Sequence, residues 1–139
     1  MIELRGVTKT YGGRAAVDGV TLTIEPRTIA ALVGTSGSGK TTVLRMINRL
    51  AEPDAGSILI DGVDTRTLPA FELRRRIGYV IQNHGLFPHR TVRENIGTVP
   101  RLLGWSRGDI AKRVDELLEL FQLAPSVFSA RYPFELSGG

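Results

Sequence analysis

The stretch TIAALVGTSGSGKTTVLRMINRL, residues 28–50, decides how the rest of the chain is read. Its opening, TIAALV (28–33), is a continuous apolar run, which predicts a strand buried on both faces. Its end, VLRMINRL, predicts a helix with Val43, Leu44, Ile47 and Leu50 on one stripe. Between them Gly34-Thr35-Ser36-Gly37-Ser38-Gly39-Lys40-Thr41 fits G-x-x-x-x-G-K-[ST] at every fixed position. Glycines at 34, 37 and 39 let the backbone wrap an anion without Cβ clashes. The helix that follows turns its positive dipole end toward the loop. Lys40 would reach the β- and γ-phosphates of a nucleotide, the Thr41 hydroxyl would bind Mg²⁺, and Thr42 would belong to the same nucleotide-binding loop. A chance glycine turn could match so short a pattern. It would not sit between a buried strand and an amphipathic helix. Nucleotide binding follows.

Outward from the loop, GVTLTIE puts Val20, Leu22 and Ile24 on one face and Thr21 and Thr23 on the other, the period of a half-buried antiparallel strand. GSILIDGVDT predicts a hairpin turning at Asp61-Gly62, so Asp61 is read as structural. A short helix around FELRRR leads to a second apolar strand, IGYVI (77–81), ending at Gln82. From Thr91 onward the chain reads as helical. The best helix runs from about Asp109 to Leu123, with Ile110, Val114, Leu117, Leu118 and Phe121 on one face. Ser106 and Asp109 form a capping-box pattern in front of it.

The chain has 139 residues, enough for one domain with a proper core. Hydrophobic residues at 42% and charged residues at 23% are a globular composition. With no cysteine there is neither a disulfide framework nor a thiolate metal site. No apolar run approaches the roughly 20 residues that span a bilayer, and the N-terminus lacks a signal-peptide layout. A cytoplasmic location is expected. The net charge of +4 could suit nucleic acid or phosphate. Its one dense basic run, Arg74-Arg75-Arg76, has no interleaved aromatics and reads as a solvated helix face, so nucleic-acid binding is not expected.

In their order, Tyr11-Gly12-Gly13, the glycine loop, Gln82, LFPHRTVRENI and the final LSGG resemble the ATP-binding subunits of ABC transporters, over essentially the whole chain. The resemblance implies an α/β P-loop NTPase of ABC ATPase type: an N-terminal antiparallel β subdomain, a nucleotide-binding core over 1–90, and a helical subdomain over 91–139. It implies that Tyr11 stacks on adenine, although a strand aromatic packed in the core is the alternative for that residue. Gln82 would contact Mg²⁺ and the attacking water, which suits an amide that donates and accepts. Ser137, Gly138 and Gly139 would bind the γ-phosphate of ATP held by a second ATP-binding subunit, in a head-to-tail dimer. The loop after Gln82 would face a transmembrane permease subunit, giving His84 and His89 contact or structural roles rather than metal ligation. A solute-binding protein would be an indirect partner, and the location peripheral on the inner membrane face. Phe134 stands where importers of this type often carry His.

The region YVIQNHGLFPHRTVRENIGTVPRLLGW is similar to importers of quaternary amines such as glycine betaine, choline and carnitine. The family continues beyond the signature with a strand ending in Asp-Glu and a later histidine, which implies that residues 1–139 are an N-terminal portion. Such a portion is expected to bind ATP and Mg²⁺ with little or no hydrolysis, and to be poorly soluble because sheet edges are left unpaired. A catalytically inactive nucleotide-binding remnant and a soluble ABC ATPase acting on nucleic acid or ribosomes are the competing readings.

Overall fold

The structure, a computed structural model, describes residues 1–81 and 85–136. The chain divides into two compact units, Met1–Gly78 and Tyr79–Gly139.

The first unit is built on an antiparallel sheet. Strands β1 (Ile2–Tyr11) and β2 (Arg14–Ile24) form a long hairpin, and β3 (Ala55–Ile60) and β4 (Val63–Asp64) a short one, in the order β2-β1-β3-β4. The register pairs Ile2 with Ile24, Leu4 with Leu22 and Val7 with Val20, so like faces meet across the ladder. Val20, Leu22 and Ile24 are half-buried and Thr21 and Thr23 exposed, as the period-two pattern predicts. At the second turn Asp61 and Gly62 both take positive φ, 50° and 79°, the geometry of the expected tight hairpin. Asp61 is structural here: its carboxylate accepts from the N-terminal ammonium at 2.5 Å, and its N–H donates to the Met1 carbonyl at 2.8 Å.

Helix α1 (Lys40–Ile47) lays its apolar side on this sheet. The core is Leu4, Val7, Val17 and Ile58 from the strands with Val43, Met46 and Ile47 from the helix. The predicted stripe needs correction. Leu44 and Leu50 are about half exposed, and Met46 is fully buried in their place. Positions 43, 46 and 47 face the antiparallel sheet, while Leu44 lies on the other side of the helix and Leu50 beyond its end. Two arginines tie the far end of α1 to the segment that follows β4. Arg74, from α2 (Ala70–Arg75), donates to the carbonyls of Asn48 and Arg49, and Arg49 donates to those of Thr65 and Leu68 at 3.1 and 2.7 Å. Arg74 is therefore a tie between elements, not only part of a solvated face, because helix-end carbonyls need donors.

The two most apolar runs depart from expectation. Residues 28–33 and 77–81 form no strand. Ile29 is fully exposed and Val33 and Val80 are 92% exposed. A strand buried on both faces forms only against neighbours at both edges, and the sheet among the described residues lies elsewhere.

The second unit is helical: α3 (Val92–Ile96), α4 (Thr98–Leu102), α5 (Arg107–Leu120) and α6 (Pro125–Phe128). Its core is Val92, Val114 and Leu118, with Ile96, Ile110, Leu123, Phe128 and Leu136 packed around them. Helix α5 begins two residues before the expected start and ends three before the expected end, which leaves Phe121 outside the helix and 72% exposed. Ser106 caps it as predicted, accepting from the Asp109 N–H at 3.1 Å. The reciprocal bond runs from the Ser106 hydroxyl to the Asp109 carboxylate at 2.6 Å rather than from backbone. A full capping box that the sequence reading passed over stands at Thr91 and Glu94. The Thr91 N–H, then its hydroxyl, hold the Glu94 carboxyl below its ordinary range.

Candidate functional site

The glycine loop is placed by what lies under it. Gly39 has φ 88°, a left-handed conformation, and a Cβ there would stand 2.3 Å from the Ala16 carbonyl oxygen of β2. Only glycine lets the loop pass this close to the strand. A Cβ on Gly34 would lie 2.6 Å from the Ser38 hydroxyl, so the loop is also tight upon itself. The Ser38 N–H donates to the Thr35 carbonyl at 3.3 Å. Gly34, Thr35, Ser36, Gly37 and Ser38 are all exposed.

The lysine is drawn into this curl. Lys40 Nζ donates to the carbonyls of Gly34 and Thr35 at 2.8 and 2.7 Å and to Ser38 Oγ at 3.0 Å. Its ammonium thus sits at the mouth of the loop. The backbone N–H groups of Lys40, Thr41 and Thr42 have no acceptor among the described residues, whereas that of Val43 donates to the Gly39 carbonyl at 2.9 Å. No side chain caps α1, and its first turn holds no acid. Unsatisfied donors, the positive end of a helix and one ammonium make a site for a multiply charged anion. Thr41 is exposed in the first turn and Thr42 half-buried beside it. The residues fit the phosphates of a nucleoside triphosphate. Among the described residues no group of three His, Cys, Asp or Glu side chains could hold a metal ion.

Tyr11 ends β1 and is 51% exposed, which removes the packed-core alternative for its ring. Lys9 Nζ lies 5.4 Å from the centre of that ring. Lys9 in turn donates to Asp54 at 2.7 Å. Sequence reasoning missed this pair; they stand 45 positions apart, and no local spacing links them.

Gln82, His84, Ser137, Gly138 and Gly139 lie outside the described residues. His89 is exposed and packs edge-on against Phe87, with ring centres 5.9 Å apart. Phe134 is exposed and stacks on Tyr132. No helix among the described residues is long and apolar enough to cross a membrane.

The sequence model of the ABC transporter family matches residues 17–139. The glycine betaine uptake system ATP-binding protein YehX of Escherichia coli K12 is 50% identical over 139 residues, which are 100% of this chain and 45% of that protein. The choline transport ATP-binding protein OpuBA of Bacillus subtilis 168 is 50% identical over 140 residues, covering 100% of this chain and 36% of that one. The chain thus spans less than half the length of these relatives. Among solved structures, the dimeric MJ0796, a bacterial ABC transporter cassette, superposes with a TM-score of 0.84 at 36% identity, over 99% of this chain and 64% of that one.

Proposed function

The chain belongs to the ABC transporter family and has the α/β fold of its P-loop ATPases, and from that premise we propose that it binds ATP and Mg²⁺ as the energy-coupling part of an importer. The observation that carries the proposal is the loop itself: Gly39 pressed against β2, Lys40 at its mouth, and behind it the N–H groups of Lys40, Thr41 and Thr42, which have no acceptor among the described residues. In this proposal the loop residues 34–39 and Lys40 hold the β- and γ-phosphates, Thr41 ligates Mg²⁺ and Tyr11 stacks on the base. Gln82 would serve the metal and the attacking water. Ser137, Gly138 and Gly139 would face the nucleotide of a second ATP-binding subunit, an arrangement in keeping with the dimeric cassette it resembles. The core would occupy 1–90 and the helical subdomain 91–139, with a permease subunit contacting the loop after Gln82 at the inner face of the membrane.

The names of the relatives support an osmoprotectant such as glycine betaine or choline as the solute. The solute itself would be recognised by the permease and binding-protein partners. In this proposal residues 1–139 alone bind ATP with little or no hydrolysis, because phosphoryl transfer depends on charges positioned at the metal and the attacking water, and the residues assigned to these here, Thr41 and Gln82, are both neutral.

The test is a calorimetric titration of the chain with ATP–Mg²⁺ beside Lys40→Ala. We expect saturable binding that the substitution abolishes. Equal binding by both proteins would sink the P-loop assignment, and rapid Lys40-dependent turnover would sink the expectation of slow hydrolysis.

A further inference from the structure

Tyr11 closes β1, and what surrounds it is more ordered than an exposed aromatic requires. Lys9 stands two residues earlier on the strand, where the pairing with β2 shifts register. Its ammonium lies 5.4 Å from the ring centre. That ammonium is itself fixed by Asp54, whose Oδ1 accepts from it at 2.7 Å. The other carboxylate oxygen, Oδ2, accepts from the Thr10 N–H at 2.7 Å, and the Asp54 N–H donates to the Thr8 carbonyl at 2.8 Å. One aspartate from the segment between α1 and β3 thus grips Thr8, Lys9 and Thr10, the three residues that lead into Tyr11. The Lys9 hydrogen bond, then the Thr10 N–H, lower the pKa of the Asp54 carboxyl, and the same bond raises that of Lys9, so both stay charged at neutral pH.

An exposed ion pair adds little to stability. Orientation of a ring is a different matter. A cation held over one face of a tyrosine is attracted to its π-system and restricts its rotation. A ring already restricted loses less freedom when a partner stacks on it.

We propose that the Lys9–Asp54 pair is a positioning device for Tyr11, covering one face of the ring with a fixed cation and presenting the other to the base of the bound nucleotide. This rests on the assignment of Tyr11 as the base-stacking residue. Lys9 and Asp54 touch neither phosphate nor metal in this scheme, and they act on affinity only through the ring.

The test compares two ligands that share phosphates but not a base: ATP–Mg²⁺ and tripolyphosphate–Mg²⁺, titrated by calorimetry into the full chain. Lys9→Met should weaken ATP binding about two- to fivefold and leave tripolyphosphate unchanged. Asp54→Asn, which retains an acceptor for the Thr10 N–H, should do the same, and Lys9→Arg should restore the affinity. In a Tyr11→Ala background, Lys9→Met should have no further effect. A parallel loss of both ligands would make the pair a structural tie and overturn the proposal. Unchanged ATP affinity in Lys9→Met, with Tyr11→Ala still weakening it, would overturn the proposal while the assignment of Tyr11 stands. No effect of Tyr11→Ala, or no binding of either ligand by the parent, would overturn both.

Discussion

Two kinds of apolar segment behave differently in this chain. The strands of the two hairpins are only alternately apolar, yet they pair fully and build the core of the first unit. The runs 28–33 and 77–81 are more apolar, yet they form no strand and are exposed at all positions but the half-buried Ile77. The difference lies in where the partners are. β1 meets β2 across Gly12 and Gly13 and β3 meets β4 across Asp61 and Gly62, so two of the three ladders close over short loops, and β1 against β3 joins the two hairpins. An apolar run without such a neighbour gains nothing by adopting strand dihedrals, since its backbone groups would remain unpaired. Hydrophobicity marks a segment for burial; pairing decides whether it becomes a strand.

The comparison breaks if apolar truncations cost the same in both places. Met46→Ala, in the hairpin-backed core, should destabilise the first unit by roughly 2–5 kcal/mol in denaturant unfolding. Val33→Ser, in the exposed run, should lie within about 0.5 kcal/mol of the parent. Comparable losses at the two positions would show that 28–33 is buried after all.

A smaller effect sharpens the same point for helices, whose partners are closest of all. Ser106→Ala removes the hydroxyl that meets the Asp109 N–H, and should cost about 1 kcal/mol, seen as faster amide exchange in the first turn of α5. Unchanged exchange there would mean that packing of Val114 and Leu118 alone holds the helix.

The smallest expected change is with pH. Glu94 has a lowered pKa in the folded chain, from its bonds to the Thr91 N–H and hydroxyl. Its contribution is therefore complete above the ordinary glutamate value of about 4.3 and fades as the pH falls below that, through the lowered value. Amide exchange in α3 should accelerate over that acidic window, beyond the intrinsic rate change, and Glu94→Gln should flatten the dependence. An identical profile in the variant would remove the capping box from the account.

What could be read from the sequence follows the same division. The glycine loop was legible because each of its fixed positions answers a local steric or electrostatic need, and Gly39 against the Ala16 carbonyl shows how strict that need is. The Asp61-Gly62 turn and the alternation of Val20, Leu22 and Ile24 were legible for the same reason. Leu44 and Leu50 were misplaced because periodicity gives a stripe but not the side on which a sheet will lie. Phe121 was misplaced because α5 stops one residue before it. The Arg74 tie and the Lys9–Asp54 pair were invisible, since each joins residues far apart in the chain and depends on the fold having formed.

The far end of α1 has a consequence for the near one. The carbonyls of Arg45, Met46, Asn48 and Arg49 are all taken, by the N–H groups of residues 49–51 and by the guanidinium of Arg74. The N–H groups at the other end have no acceptor among the described residues. A short helix is in effect a small battery with two poles, and here one pole is insulated while the other is left bare. The field that reaches solvent from α1 therefore leans to the positive, the guanidinium of Arg74 at one end adding to what the donors at the other present.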